Sequence, residues 1–163
     1  MLHTVPYEKR GLRVQPEWID YNGHMNMAYY TVLFDQCIDD VFEGFGLGPD
    51  YIKARGGSYF TLEAHIHYLR EVNLEDPLRV TLQLLDYDSK RCHFYEEMFH
   101  ETEGWLAAAG EFLSMHVDMN KKRASPFPDD VLAEIDSFYQ GHKSLPKPDR
   151  VGTVMGIRRK TGG

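Results

Sequence analysis

Asp20-Tyr21-Asn22-Gly23-His24-Met25-Asn26 is a polar, turn-forming heptapeptide, and the chain after it changes character at once. From Met27 the apolar positions are Tyr30, Leu33, Phe34, Cys37, Ile38, Val41, Phe42 and Phe45. Steps that alternate between three and one make a single apolar stripe on an α-helix. Asp35, Gln36, Asp39, Asp40 and Glu43 fall on the other side. Asn26 is a candidate N-cap, and Gly44 and Gly46 are stop signals. The spacing predicts one amphipathic helix of about 18 residues, about 27 Å long.

On the N-terminal side, residues 4–14 form a candidate strand, followed by Pro16 and the polar loop. On the C-terminal side, a short helix over Pro49–Ala54 is closed by Gly56-Gly57. Beyond it the period drops to two. Phe60, Leu62, Ala64, Ile66 and Tyr68 alternate with Tyr59, Thr61, Glu63, His65 and His67. Pro77 interrupts, then Val80, Leu82 and Leu84 alternate with Arg79, Thr81 and Gln83. Asp88-Ser89-Lys90 reads as a hairpin turn into Cys92–His100, and Glu101-Thr102-Glu103-Gly104 as a turn into a last strand over Trp105–Val117. A final helix is expected near Asp129–Tyr139. Strands joined by short turns are antiparallel neighbours. One long amphipathic helix is available to cover them, so the expected fold is α+β, an antiparallel sheet wrapped around that helix.

The 163 residues suit one domain, with 42% hydrophobic and 26% charged residues. No apolar run is long enough to span a bilayer, and residues 1–8 lack the apolar core of a signal peptide. Cys37 and Cys92 lie among apolar residues and are read as reduced core residues of a cytoplasmic protein. The net charge of −7 is uneven. From Lys143 onward, Lys143, Lys147, Arg150, Arg158, Arg159 and Lys160 oppose Asp149 alone, so residues 1–142 hold the acidity. An acidic body argues against nucleic-acid binding. The domain is set at residues 1–142, with residues 143–163 a basic, mobile tail or else a ligand-binding arm.

A strand, then Asp-x-Asn-Gly-His-x-Asn, an aromatic-rich helix and four long strands resembles the hotdog-fold acyl-CoA thioesterases of the 4-hydroxybenzoyl-CoA thioesterase type. Tyr59–Val72 and Asp88–Arg91 are similar to the betainyl-CoA thioesterases of carnitine catabolism. The resemblance implies a hotdog fold, hydrolysis of an acyl-CoA, no cofactor, and a homodimer or homotetramer with active sites between subunits. It makes Asp20 the nucleophile or the general base. Asn22 and His24 match supporting polar residues of related acyl-carrier-protein thioesterases, and Glu63 is the nearest match to their later strand acid. Backbone N–H groups around Asn26 and Met27 match the oxyanion donors.

Chemically, a carboxylate beside a helix N-terminus can attack a thioester or deprotonate water while helix amides stabilise the oxyanion. Tyr29 is a candidate for substrate contact, and Lys90 and Arg91 for the coenzyme phosphates. Each has a plainer reading. Asp20 and Asn22 are ordinary turn residues, His24 a packing residue, Asn26 a cap, Glu63 a strand surface residue, and Lys90-Arg91 hairpin solubilisers. Glu63, His65 and His67 share the two-residue spacing of a strand metal site, but no further ligand follows, so no metal is expected. Two classes remain open beside hydrolysis: a non-catalytic acyl- or aromatic-binding hotdog protein, and a metal-dependent enzyme.

Overall fold

The computed structural model describes residues 4–157 and Arg159. Its elements are β1 (Tyr7–Arg13), a 3-10 turn (Pro16–Trp18), α1 (Met27–Gly44), α2 (Pro49–Arg55), β2 (Gly57–Tyr68), β3 (Pro77–Tyr87), β4 (Arg91–His100), β5 (Leu106–Asp118), β6 (Arg123–Ala124) and α3 (Asp129–His142). The sheet runs β1-β3-β4-β5-β2 with β6 paired to β5, and every pairing is antiparallel. It curls around α1 in the hotdog arrangement.

The helix forms where the stripe places it. The Asn26 side chain accepts the Ala28 N–H at 3.0 Å, so the cap is real. Gly46, at φ 85°, lets the chain turn out after Gly44, and its N–H bonds the Glu43 carbonyl. Tyr30, Leu33, Phe34, Cys37, Ile38, Val41 and Phe42 are all buried against the sheet. Their partners include Leu78, Val80, Leu82 and Leu84 of β3, Phe94 and Met98 of β4, and Ala108 and Phe112 of β5. Full burial of each large side chain is worth about 2 kcal/mol, so this one contact dominates stability.

Two strand features depart from the simple alternation. β2 and β3 follow each other in sequence but are not neighbours; β2 pairs β5 at the far edge. The connection 69–76 crosses the sheet end, held by the Leu69 and Arg70 N–H groups on the Ala107 carbonyl and by fully buried Val72. A bulge at Leu62 then splits β2 into two halves. Tyr59, before it, stacks on Phe42 at 3.7 Å, while Ile66, after it, also packs on the core. Glu63, His65 and His67 therefore lie on the outer face, away from α1, with His65 paired to Glu111.

Residues 143–157 run as a strap over the outer face of the sheet. Gln83 donates to the Pro146 carbonyl at 3.5 Å, the Gly152 N–H to Glu111 at 2.7 Å, and Thr153 lies 3.2 Å from His67 Nε2. The outer face supplies hydrogen-bond partners that a tail of this composition lacks by itself. Arg158 and Lys160, part of the basic tail in the sequence, fall outside the described residues.

Among the buried titratable groups, Glu96 and His142 keep polar atoms without a partner among the described residues. Glu96, on the helix-facing side of β4, has both carboxyl oxygens without a partner among the described residues. Burial lifts its pKa well above the usual carboxylate value, and the Asp35 charge adds to the rise, against a smaller opposing effect of the Cys37 thiol. His142 is the second: burial depresses its pKa to about 4.

The Glu96 carboxyl is neutral when folded and ionised when unfolded. Its contribution is whole below the unfolded pKa of 4.5 and is lost as pH rises towards the folded value. His142 acts in the opposite sense, but only between its folded value of about 4 and its unfolded value of 6.5. Above pH 7 the buried Cys37 and Cys92 thiols, whose pKa values burial raises, act in the same sense as Glu96. Urea denaturation should therefore give falling stability as pH rises above 7, each group contributing at most about 1.4 kcal/mol per unit. Glu96→Gln should flatten that slope; an unchanged slope would assign it to another group.

Candidate active site

The loop before α1 is a closed, hydrogen-bonded turn. Ile19 and Met25 form a β-bridge, and the Asp20 N–H bonds the His24 carbonyl at 3.0 Å. Asp20 Oδ1 accepts the Asn22 N–H at 2.8 Å, an Asx turn, and Gly23 closes it at φ 84°, a conformation other residues avoid. The Met25 N–H is bound by the Val72 carbonyl at 3.0 Å, which ties the loop to the β2–β3 crossover. The carboxylate is thus fixed, half-exposed, in the turn directly before α1.

The helix mouth offers one free amide. The Ala28 N–H is taken by the Asn26 side chain. The Asn26 N–H is itself bound by the Trp18 carbonyl at 2.9 Å. Among the described residues the Met27 N–H has no acceptor, and Met27 is 63% exposed. Tyr68, at the end of β2, donates its hydroxyl to the Met27 carbonyl at 3.3 Å and meets the Tyr30 ring edge-on. His24 Nε2 lies 3.2 Å from Glu71, so its ring is held by an acid of the crossover. Trp18 stacks on Tyr29 at 5.3 Å on the flank of the same mouth. Arg70 covers the face of Trp105 at 4.1 Å.

One chain therefore brings together Asp20, Asn22, His24, Asn26, Met27 and Tyr29. It does not bring Glu63, Lys90 or Arg91 to them. Glu63 is five residues along β2 from Tyr68, about 17 Å. Lys90 and Arg91 sit in the turn at the other end of β4, and Asp88 accepts two side-chain hydrogen bonds from the Arg91 guanidinium. The contacts of Glu71 and Tyr68 are not visible in the sequence, because each depends on the crossover or on a strand end folding back to the helix. A cavity of about 1150 Å³ lies elsewhere, between the strap and the outer face, and reaches this region at Tyr68 and Leu69. Among the described residues no group of three or more His, Cys, Asp or Glu is arranged to hold a metal ion.

The thioesterase-like superfamily model matches residues 14–135, from the end of β1 into α3. The chain belongs to that superfamily. It is 37% identical to the betainyl-CoA thioesterase of Pseudomonas aeruginosa, over 88% of this chain and 91% of that protein. It is also 37% identical to the L-carnitine dehydrogenase/betainyl-CoA thioesterase of Rhizobium meliloti, over 90% of this chain and 29% of that longer one. A hypothetical protein from Staphylococcus aureus, solved in complex with CoA, superimposes with a TM-score of 0.85 at 30% identity, covering 93% of this chain and 94% of that one. The protein is an acyl-CoA thioesterase with a hotdog fold.

The Asn26 cap fixes where the free Met27 amide begins. Asn26→Ala should lower stability by about 1 kcal/mol in urea denaturation, and Asn26→Asp should restore most of it. Equal stability of the alanine variant and the parent would show that the cap is not the anchor.

Proposed function

We propose that this thioesterase hydrolyses betainyl-CoA, or another short polar acyl-CoA, to the free carboxylate and CoA, with Asp20 as its catalytic carboxylate. Support for the chemistry comes from a half-exposed Asp20 in the turn directly before α1, whose Met27 N–H is open among the described residues. Support for the substrate comes from the identity to named betainyl-CoA thioesterases at nearly full coverage.

In the reaction the Asp20 oxygen attacks the thioester carbonyl, or takes a proton from an attacking water. The carbonyl oxygen becomes an oxyanion facing the Met27 N–H and the positive end of the α1 dipole. One well-aimed donor is worth about 3 kcal/mol in the transition state. The C–S bond then breaks, CoA leaves as thiolate, and water supplies the oxygen of the final carboxylate. Asn22 and His24 border this point; the Glu71 contact orients the His24 ring. A trimethylammonium acyl end needs aromatic faces. Trp105 already holds Arg70, and Tyr30 is buried, which leaves the Trp18–Tyr29 pair and the fully exposed Tyr21.

The site is read as shared between two copies. β2 is a 12-residue edge strand with Phe60 and Leu62 half-exposed, a surface that pairs readily with another chain. A second copy is also what would bring Glu63, Lys90 and Arg91 within reach of an Asp20. The buried, unpaired Cys37 and Cys92 support a reducing, cytoplasmic setting.

A thiol-release assay over a panel of acyl-CoA esters tests the chemistry. Asp20→Asn should lower kcat at least about a hundredfold on the best ester; a loss of only a few fold would remove Asp20 from the mechanism. Tyr29→Leu should narrow the preference for betainyl-CoA over an uncharged ester of like size, and an unchanged ratio would take the aromatic pair out of substrate choice. Sedimentation at micromolar concentration should give a dimer or tetramer; a monomer with full activity would end the shared-site reading.

A further inference from the structure

His142 sits at the end of α3, 1% exposed, beside the Leu84 N–H of β3, beyond the point where the β1 pairing ends. Nδ1 of the ring accepts that N–H at 2.9 Å. A neutral imidazole with one nitrogen accepting carries its hydrogen on the other, so Nε2 is a donor. Burial keeps the ring neutral down to about pH 4. Nε2 is buried and has no hydrogen-bond partner among the described residues; Phe138 packs on the ring at 4.1 Å. An unpaired buried N–H costs about 1–3 kcal/mol, so this donor calls for an acceptor.

The same imidazole lines a cavity of about 310 Å³ between α3, β3 and the root of the strap. Lys143 and Lys147 stand in its wall with Gln83 and His93. Among the described residues neither lysine has an acid within ion-pair distance, and the Lys143 ammonium bonds the neutral Gln140 amide. His93 is already engaged by Glu111 at 2.7 Å. The one acid of the wall, Asp86, is exposed and accepts the Tyr87 N–H. Two ammonium groups outside any ion pair, Lys143 with the Asp136 charge in its surroundings, and a buried N–H donor favour an oxyanion over a cation. A water would satisfy Nε2 but would leave both lysines unused.

We propose that this cavity is a phosphate-binding site, with the oxyanion held by His142 Nε2–H, Lys143 and Lys147. The site stands on this geometry alone. The group arrives either as free phosphate or as the 3′-phosphate of the coenzyme; the second source rests on the thioesterase reading above. The neighbouring groove under the strap shares Gln83, Leu145 and Lys147 with the cavity, so a larger molecule has a route in.

Inorganic phosphate titrated into the full chain, against chloride at equal ionic strength, is the test. Saturable heat in calorimetry and a saturable shift of the His142 Nε2–H in ¹H–¹⁵N spectra are expected. Lys143→Ala and Lys147→Ala, both on exposed side chains, should each weaken binding about fivefold. His142→Asn keeps an acceptor for Leu84, loses the imidazole donor, and should weaken it similarly; if that variant misfolds, the lysine variants carry the test. No saturable response up to about 50 mM phosphate, or a response unaltered in both lysine variants, overturns the site. Competition then separates the sources. Displacement of phosphate by CoA but not by dephospho-CoA identifies the coenzyme, and displacement by neither identifies free phosphate. Phosphate binding in a chain that turns over no ester would keep the site while removing the thioesterase reading.

Discussion

One helix must be covered by one sheet, and almost everything else in this molecule follows from that. The stripe from Tyr30 to Phe42 is too apolar to face water and too long for a single strand pair to hide. β3, β4 and β5 supply the covering surface by alternation. The sheet has to curl to do this, and the bulges at Leu62 and after Leu84 sit where strands bend. Because the helix start is fixed by Asn26 and by the Ile19–Met25 bridge, the polar loop before it has only one place to go. Asp20 is at the helix mouth as a consequence of core packing, before any chemistry is considered.

The sequence made the helix legible nearly to the residue, since its evidence is local: a 3.6-residue period, a capping Asn26 and two glycines. Strand existence was equally plain. Strand partnership was not. Short turns correctly imply β3–β4 and β4–β5 pairing, but β2 leaves for the opposite edge through residues 69–76, and nothing in its own pattern announces that. The bulge at Leu62 likewise reflects the register of β5 more than any breaker residue in β2. The candidate site divides along the same line. Loop and helix-start residues come together because they are close in sequence. Glu71 and Tyr68 join them only through the crossover, and the Asn26 N–H proves occupied because Trp18 folds back onto it.

The buried polar groups mark the positions where packing was compromised. Glu96 faces α1 beside Cys37 and its pKa is driven well up there, since burial outweighs what the Cys37 thiol offers in place of water. His142 is better placed, because its Nδ1 accepts the buried Leu84 N–H of β3. A leucine at 142 would fill the same space and leave that amide unpaired. The imidazole is therefore explained by the sheet on one nitrogen and by the cavity on the other.

The strap gives the basic tail a meaning that its composition alone withholds. Read as charge, residues after Lys143 look like a solvated terminus attached to an acidic body. Laid over the sheet, the same residues are sorted by position. Gly152 and Thr153 meet Glu111 and His67 on the outer face, while Lys143 and Lys147 remain at the root beside α3. Anchoring the strap at Glu111 leaves its lysines unpaired, since that acid already accepts from His93 and the Gly152 amide. An acidic protein that handles a phosphorylated ligand must gather positive charge locally rather than over its whole surface, and the strap root is a place where this chain does so.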